Sequence, residues 1–302
     1  MARFTLLLRL MAAVSALTVA ACTADGADAA PRFVEADRTA VAQGTALAAD
    51  GEAVFAGERL TGRLVEWEPA SGTLSELGQV PALDTRPEQR GLLGAAVAED
   101  GTRHVAYTSA SGDLVVEQVG ATPRLLVESV PDRAIGGRLV GLGDGTIVVG
   151  IGDLLDPDLV ADPEAPNGKL LAVEASGTKT LASGFNNPFA LTAGHDGTIW
   201  VVDNAPPGRR ERLLRVAAGG GDVEVVAEWN DTRVASGVAV TATGELAVCW
   251  YLSGELRIHS PARFAEPGDL IATDCRYGVV ALADGSLVYA AEDELVHLVA
   301  VD

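Results

Sequence analysis

The sequence predicts an all-β protein, a six-bladed β-propeller, and three observations predict it. Short glycine turns recur at Asp50-Gly51, Asp100-Gly101, Asp144-Gly145, Asp196-Gly197, Thr243-Gly244 and Asp284-Gly285, their glycines 50, 44, 52, 47 and 41 residues apart. Almost every turn is bracketed by short runs of apolar and β-branched residues, the pattern of a hairpin. Helix-length periodic segments are few. A period of 40–50 residues with three or four strands per unit belongs to radial repeats, whose blades cannot bury both faces alone and pack around a central channel. Two packed β-sandwiches with coincidental spacing are the alternative.

In chain order, residues 1–21 read as a secretory leader. Arg3 and Arg9 give a positive start, and "LLLRLMAAVSALTVAA" is too short for a comfortable membrane span. The leader ends at "VAAC", small residues before Cys22, which resembles the bacterial lipobox whose cysteine is lipidated; an ordinary signal cut near "ADAA" (27–30) is the alternative. Residues 22–32, largely "TADGADAAPR", are small, polar and turn-rich, and suit a flexible tether. The propeller is expected over 33–302. Before the turns stand "LLGAAVAE" (92–99), "RLVGLG" (138–143), "FALTAG" (189–194), "SGVAVTA" (236–242) and "YGVVALA" (277–283). After them stand "TRHVAYTS" (102–109), "TIVVGIGD" (146–153), "TIWVVDN" (198–204), "ELAVCWY" (245–251) and "SLVYAAE" (286–292). Third strands are read at "LVEWEP" (64–69), "LVVEQV" (114–119), "KLLAVEA" (169–175), "RLLRVAA" (212–218), "ELRIHS" (255–260) and "ELVHLVA" (294–300). The segment "RFVEADRTAVAQ" (32–43) is expected to add a strand to the last blade and close the ring.

The net charge is −20, and loss of Arg3 and Arg9 with the leader takes it near −22. So acidic a surface repels phosphate backbones and argues against nucleic acid as a partner. Of three cysteines, lipidation of Cys22 leaves Cys249 and Cys275. Outside the cytoplasm such a pair commonly forms a disulfide, with two buried free thiols as the alternative.

Four segments occur in an order that resembles a known family: "EQRGLLGAAVAEDG" (88–101), "GGRLVGLGDGTIVVGIGD" (136–153), "NGKLLAVEASG" (167–177) and "SGFNNPFALTAGHDGTIWVVDNAP" (183–206). They resemble the soluble quinoprotein glucose/sorbosone dehydrogenases, six-bladed propellers that oxidise aldose sugars with pyrroloquinoline quinone and calcium. The resemblance covers about residues 85–215, and Arg-Gly-Leu-Leu-Gly is its most specific piece.

The same resemblance exposes three substitutions. The family's base is a His in an Asp-His pair before Gly-Gly-Arg-Leu, a group suited to removing a hydroxyl proton near neutral pH. Here those positions hold Arg133 and Ala134. His104, His195, His259 and His297 lie elsewhere and read as surface or structural residues. The family's Gly-Phe-Arg-Asn-Pro uses its Arg to hold the quinone oxygens; this chain has Gly184-Phe185-Asn186-Asn187-Pro188. The family's calcium loop, Gly-Pro-x-Gly-Gly-Asp-Glu, becomes Ala205-Pro206-Pro207-Gly208-Arg209-Arg210-Glu211. Two guanidiniums there repel a cation that needs several hard oxygen ligands, and Glu211 is expected to pair with an arginine instead.

The acidic loop "DLLDPDLVADPE" (153–164), with Asp153, Asp156, Asp158, Asp162 and Glu164, lacks EF-hand spacing and reads as a solvated loop rather than a new calcium site. "PPGRRER" (206–212) is the one basic cluster, open either to an anionic ligand or to pairing with Asp203, Glu211 and other acids. Three functions fit these features. In the first, an extracytoplasmic, lipid-anchored, non-catalytic propeller uses neither catalytic nor metal-binding residues. It binds a small molecule or an extracytoplasmic protein at its channel mouth through Arg90, Arg133, Asn186, Asn187, Asp203, Asn204, Arg209 and Arg210. In the second, an active sugar dehydrogenase takes pyrroloquinoline quinone and calcium and uses Asp132 as a base, its pKa raised by burial. In the third, a structural lipoprotein offers its rim to partners.

Overall fold

The computed structural model describes residues 32–301, apart from 82, 87, 88, 175 and 207. The leader, most of the tether and Cys22 lie outside the described residues. No helix among the described residues is long and apolar enough to cross a membrane.

Six four-stranded antiparallel sheets make six blades. After β1 (Arg32–Ala40), the first blade holds β2 (Gly44–Asp50), β3 (Ala53–Glu58), β4 (Arg63–Glu68) and β5 (Thr73–Gln79). The second holds β6 (Leu92–Val97), β7 (Arg103–Thr108), β8 (Leu114–Gln118) and β9 (Arg124–Val127). The third holds β10 (Gly136–Gly141), β11 (Ile147–Ile151), β12 (Lys169–Glu174) and β13 (Gly177–Ser183). The fourth holds β14 (Asn187–Ala193), β15 (Ile199–Asn204), β16 (Glu211–Val216) and β17 (Val223–Trp229). The fifth holds β18 (Ala235–Val240), β19 (Leu246–Trp250), β20 (Glu255–His259) and β21 (Asp269–Ala272). The sixth holds β22 (Gly278–Ala281), β23 (Leu287–Ala290) and β24 (Glu294–Val301), and β1 is its outermost strand, paired with β24 from Arg32↔Val301 to Ala40↔Glu294. The N-terminal strand thus closes the ring.

The first strands of neighbouring blades line the bore, and every glycine turn joins the first strand of a blade to its second. Apolar side chains on both faces of each radial sheet have to be covered by the next sheet. The core is accordingly divided into six clusters, one between each pair of adjacent blades. The cluster between blades two and three, for example, joins Leu93, Leu114 and Val116 to Leu139, Val149 and Ile151. Near the bore the blades approach so closely that small residues are required. A Cβ on Gly94 would lie 2.4 Å from the Gly137 carbonyl oxygen, and one on Gly237 would lie 2.6 Å from the Gly278 Cα. Gly91 adopts φ +96°, where a Cβ would meet the Arg59 carbonyl at 2.2 Å. The Arg-Gly-Leu-Leu-Gly stretch therefore has a packing reason for both of its glycines.

Cys249 in β19 and Cys275, just before β22, form a disulfide with Cα atoms 5.6 Å apart, both fully buried between blades five and six. The bond closes a 26-residue separation, worth about 3.5 kcal/mol in the chain-entropy account. Replacing both cysteines by alanine is expected to lower the unfolding free energy from urea titration by an amount of that order, with a lower midpoint, read by tryptophan fluorescence. An unchanged midpoint would show that the bond closes nothing the fold does not already hold.

Candidate functional site

The eight residues expected at the channel mouth sit on one face of the ring, where the first strands begin and the second strands end. Arg90 precedes β6, Arg133 precedes β10, and Asn186 and Asn187 lead into β14. Asp203 and Asn204 end β15, and Arg209 and Arg210 occupy the loop before β16. Five of the six innermost strand pairs shift register near this face, at Gly44/Ala46, Leu92/Gly94, Gly136/Leu139, Asn187/Ala190 and Ala235/Gly237. Such bulges re-aim side chains where a ladder ends.

Asp203 organises the centre of this face. It is fully buried, and its Oδ1 accepts hydrogen bonds from the backbone N–H groups of Asn186 (2.9 Å) and Asn187 (2.8 Å). Its Oδ2 accepts from Asn186 Nδ2 (3.1 Å) and Arg212 Nη2 (2.5 Å). Burial pushes the Asp203 carboxyl pKa up, and Arg212 and the two backbone donors oppose that push. Arg212 also donates to the Gly184 carbonyl (2.8 Å), while its buried Nε has no partner. Arg209 donates to Asn186 Oδ1 (2.8 Å). A guanidinium thus lies directly on Asn186, the position where the resemblance expects one. Arg210 pairs with Glu228 at 2.6 Å. Together Asn186, Arg209, Arg210, Arg212 and Glu228 line an open groove of about 430 Å³ at the edge of blades three and four.

The other candidates are engaged differently. Arg90 is buried and engaged through all three of its side-chain nitrogens: Nη1 donates to Asp84 (2.7 Å), Nε to Asp132 (3.0 Å) and Nη2 to the Val130 carbonyl (2.6 Å). Arg86 shares Asp84 and, through its hydrogen bond, holds that carboxyl down at about 2. Asn187 accepts from the Gly136 N–H (3.1 Å), and Asn204 exchanges two 2.8 Å bonds with the backbone of Ala235, tying blade three to four and four to five. Arg133 is exposed and makes no hydrogen bond or ion pair among the described residues.

Two expectations are corrected. Asp132 is not a buried carboxyl; its side chain is 65% exposed and tied to Arg90 at 3.0 Å. Glu211 does not pair with a guanidinium. It is buried, and accepts from the backbone N–H groups of Arg233 (3.0 Å) and Val234 (3.1 Å) and from Trp229 Nε1 (3.1 Å). Three donors converge where the chain turns into β18, and they take the carboxylate that a metal loop would need. Calcium therefore does not fit this loop: its acid is turned inward and its neighbours are Arg209 and Arg210. Among the described residues no three His, Cys, Asp or Glu side chains converge as a metal site. Ala134, at the position of the family's base, sits at φ +56° with its carbonyl accepting from the Leu154 N–H (3.1 Å). Its methyl group offers no proton acceptor.

The acidic loop is solvated over Asp156, Asp158, Asp162 and Glu164, whereas Asp153 is buried. Its anchor, missed in the sequence, is Lys169. This buried ammonium donates to the carbonyls of Asp162 (2.8 Å), Asn167 (3.2 Å) and Val160 (3.4 Å). Arg212 belongs to the basic cluster 206–212 and pairs with Asp203, one of the two readings open for that cluster, whereas nothing in the sequence marks Glu228. The histidines lie away from this face. His259 is buried against Phe264, ring centroids 4.7 Å apart, and receives a weak 3.4 Å bond from Trp250 Nε1. His297 packs edge-on against Trp67.

No protein-family model matches the chain, and no curated protein sequence matches it. Solved structures do. The aldose sugar dehydrogenase of Streptomyces coelicolor, in its form bound to pyrroloquinoline quinone, superposes with a TM-score of 0.71 at 19% identity, over 89% of this chain and 99% of that one. The soluble aldose sugar dehydrogenase of Escherichia coli, in its apo form, gives 0.68 at 18% identity, over 88% and 99%. A streptogramin B lyase gives 0.52 at 11% identity, over 89% and 98%. The six-bladed fold of this chain is therefore shared with these aldose sugar dehydrogenases across nearly the whole described domain.

Burial, with Arg233 and Arg257 nearby, lowers the His259 pKa to about 4. Below 6.5 the unfolded chain binds a proton at this position that the folded one refuses, so stability is lost as pH falls from 6.5 towards 4. The contribution is on the order of 3 kcal/mol across that window. The fall in unfolding free energy between pH 7 and 4.5 should be smaller in His259→Gln than in the wild type. Equal falls would remove His259 from the account.

Proposed function

We propose that the chain is a non-catalytic relative of the glucose/sorbosone dehydrogenases. In this reading it is held outside the cytoplasm by lipid on Cys22, and it binds a small anionic molecule or an extracytoplasmic protein through the arginines at its channel mouth. One observation carries the reading. Arg209, Arg210 and Arg212 line a groove beside Asn186, while the position of the family's base is Ala134. A methyl group cannot take the proton that leaves with hydride transfer, and Asp132, the nearest carboxylate in sequence, is exposed and tied to Arg90. Guanidiniums in a groove instead suit carboxylate or phosphate groups, which they hold by charge-assisted hydrogen bonds. The buried disulfide agrees with an oxidising compartment.

The full-length protein, given pyrroloquinoline quinone and calcium, is expected to reduce no dye with aldoses. Sugar-dependent reduction would establish the active-dehydrogenase reading in its place. Calorimetric titration with citrate, phosphate and the quinone itself tests the groove. At least one should bind, and the double variant Arg133→Glu/Arg210→Glu should lose that binding with only a small fall in thermal midpoint, because both side chains are exposed and the Arg210–Glu228 pair it breaks is a surface pair worth about 1 kcal/mol or less. Retention of binding in the double variant would count against the site.

The anchor has its own test. Cys22→Ala should move the protein from the membrane pellet to the soluble fraction after cell breakage, since acyl chains supply the membrane affinity. Persistence in the pellet would mean that something else holds it there.

A further inference from the structure

The bore holds a feature that the groove does not explain. A cavity of about 380 Å³ lies among the innermost strands and runs to the face of the glycine turns, opposite the arginine groove. Most of its lining side chains are apolar and small, including Leu47, Val97, Val140, Val240 and Val280, with backbone polar groups between them. Only two lining residues are ionisable, Arg138 and His195, and none is an acid, on a chain whose net charge is −20.

Arg138 is 7% exposed and falls inside the bulge between Gly136 and Leu139, which turns it away from the strand ladder and into the bore. Its Nε donates to the Phe189 carbonyl (3.1 Å), and its Nη2 to the carbonyls of Ser236 (2.6 Å) and Tyr277. The guanidinium carbon lies 4.4 Å from the centre of the Phe189 ring. Its Nη1 makes no hydrogen bond among the described residues and keeps two N–H donors. No carboxylate balances this charge, and burial alone presses the Arg138 pKa down to about 9. A desolvated guanidinium without a counter-charge is costly, and an anion brought to Nη1 would offset that cost.

We propose that the bore is a binding site for a monocarboxylate with a short unbranched apolar chain, its carboxylate on Arg138 Nη1 and its chain among the small apolar residues of the cavity. His195, in the turn between β14 and β15, stands at the entrance. This site is separate from the arginine groove and does not depend on it.

The test uses hexanoate and its neutral analogue hexanamide on the full-length protein, with sodium chloride at equal ionic strength as control. Imidazole NMR signals report location, because the chain has four histidines and His195 alone among them lines the cavity. Hexanoate is expected to move the His195 signal and leave those of His104, His259 and His297 in place. Hexanamide should bind at least about tenfold more weakly, the loss of one charge-assisted contact. The Arg133→Glu/Arg210→Glu variant should bind hexanoate as the wild type does, and Arg138→Gln should lose it. Should Arg138→Gln fail to fold, the comparison of the two ligands on wild-type protein decides alone. Equal binding of hexanoate and hexanamide, no movement of His195 at millimolar hexanoate, a movement that chloride alone reproduces, or loss of hexanoate binding in the double variant would each overturn the proposal.

Discussion

A closed ring of radial sheets leaves the innermost strand of every blade with a neighbour on one side only. The other edge faces the bore, and its backbone carbonyls cannot be paired by any strand. Unpaired polar groups at such depth are expensive, so the ring needs donors at its centre that do not belong to a sheet. Arg138 supplies them. One side chain from the third blade reaches carbonyls from the fourth and fifth blades and the segment entering the sixth. It can do so because a bulge releases it from its own ladder, and because glycines such as Gly94 and Gly237 let adjacent blades approach closely. The apolar clusters hold neighbouring blades together pairwise, whereas this guanidinium ties blades that are not neighbours.

The same economy governs the face where the second strands end. Asp203 is satisfied by two backbone N–H groups, an amide and a guanidinium, which fixes the entry of the chain into β14. Asn187, Asn204 and Glu211 each receive backbone donors at the start of a neighbouring blade. Polar residues that a sequence reader would assign to ligand binding thus serve first as connectors between blades. Arg133, Arg209 and Arg210 form the exposed outer layer of this face.

Much of the architecture was legible in the sequence, for a physical reason. The first three strands of each blade are covered on both faces and read as continuous apolar runs beside glycine turns, as in "KLLAVEA" or "ELAVCWY". The fourth strands are outermost and half solvated. Thr73–Gln79 is mostly polar and exposed, and Asp269–Ala272 is apolar but only four residues long, so neither has the length and pattern that mark a strand in the sequence. The ring-closing role of β1 was legible because a strand without a hairpin partner needs one somewhere. The site was less legible. Arg138 and Lys169 lie inside apolar strand runs, where a lone cation resembles a solvent-facing position; only the fold reveals that both point inward to carbonyl groups. The role of Glu211 is not legible because two of its three donors are backbone N–H groups some twenty residues away, to which side-chain pattern is blind.

The closure of the ring also determines where the molecule bears load. β1 and β24 are the first and last of the described strands, and they lie side by side at the rim of a single blade. Any tension transmitted along the residues that precede Arg32 arrives first on that one hydrogen-bonded ladder and is not distributed over six blades. The disulfide lies elsewhere, between blades five and six, so among the described residues no covalent cross-link shares the strain at the clasp. The propeller is therefore mechanically anisotropic: stiff across its inner seams and yielding at its outermost strand.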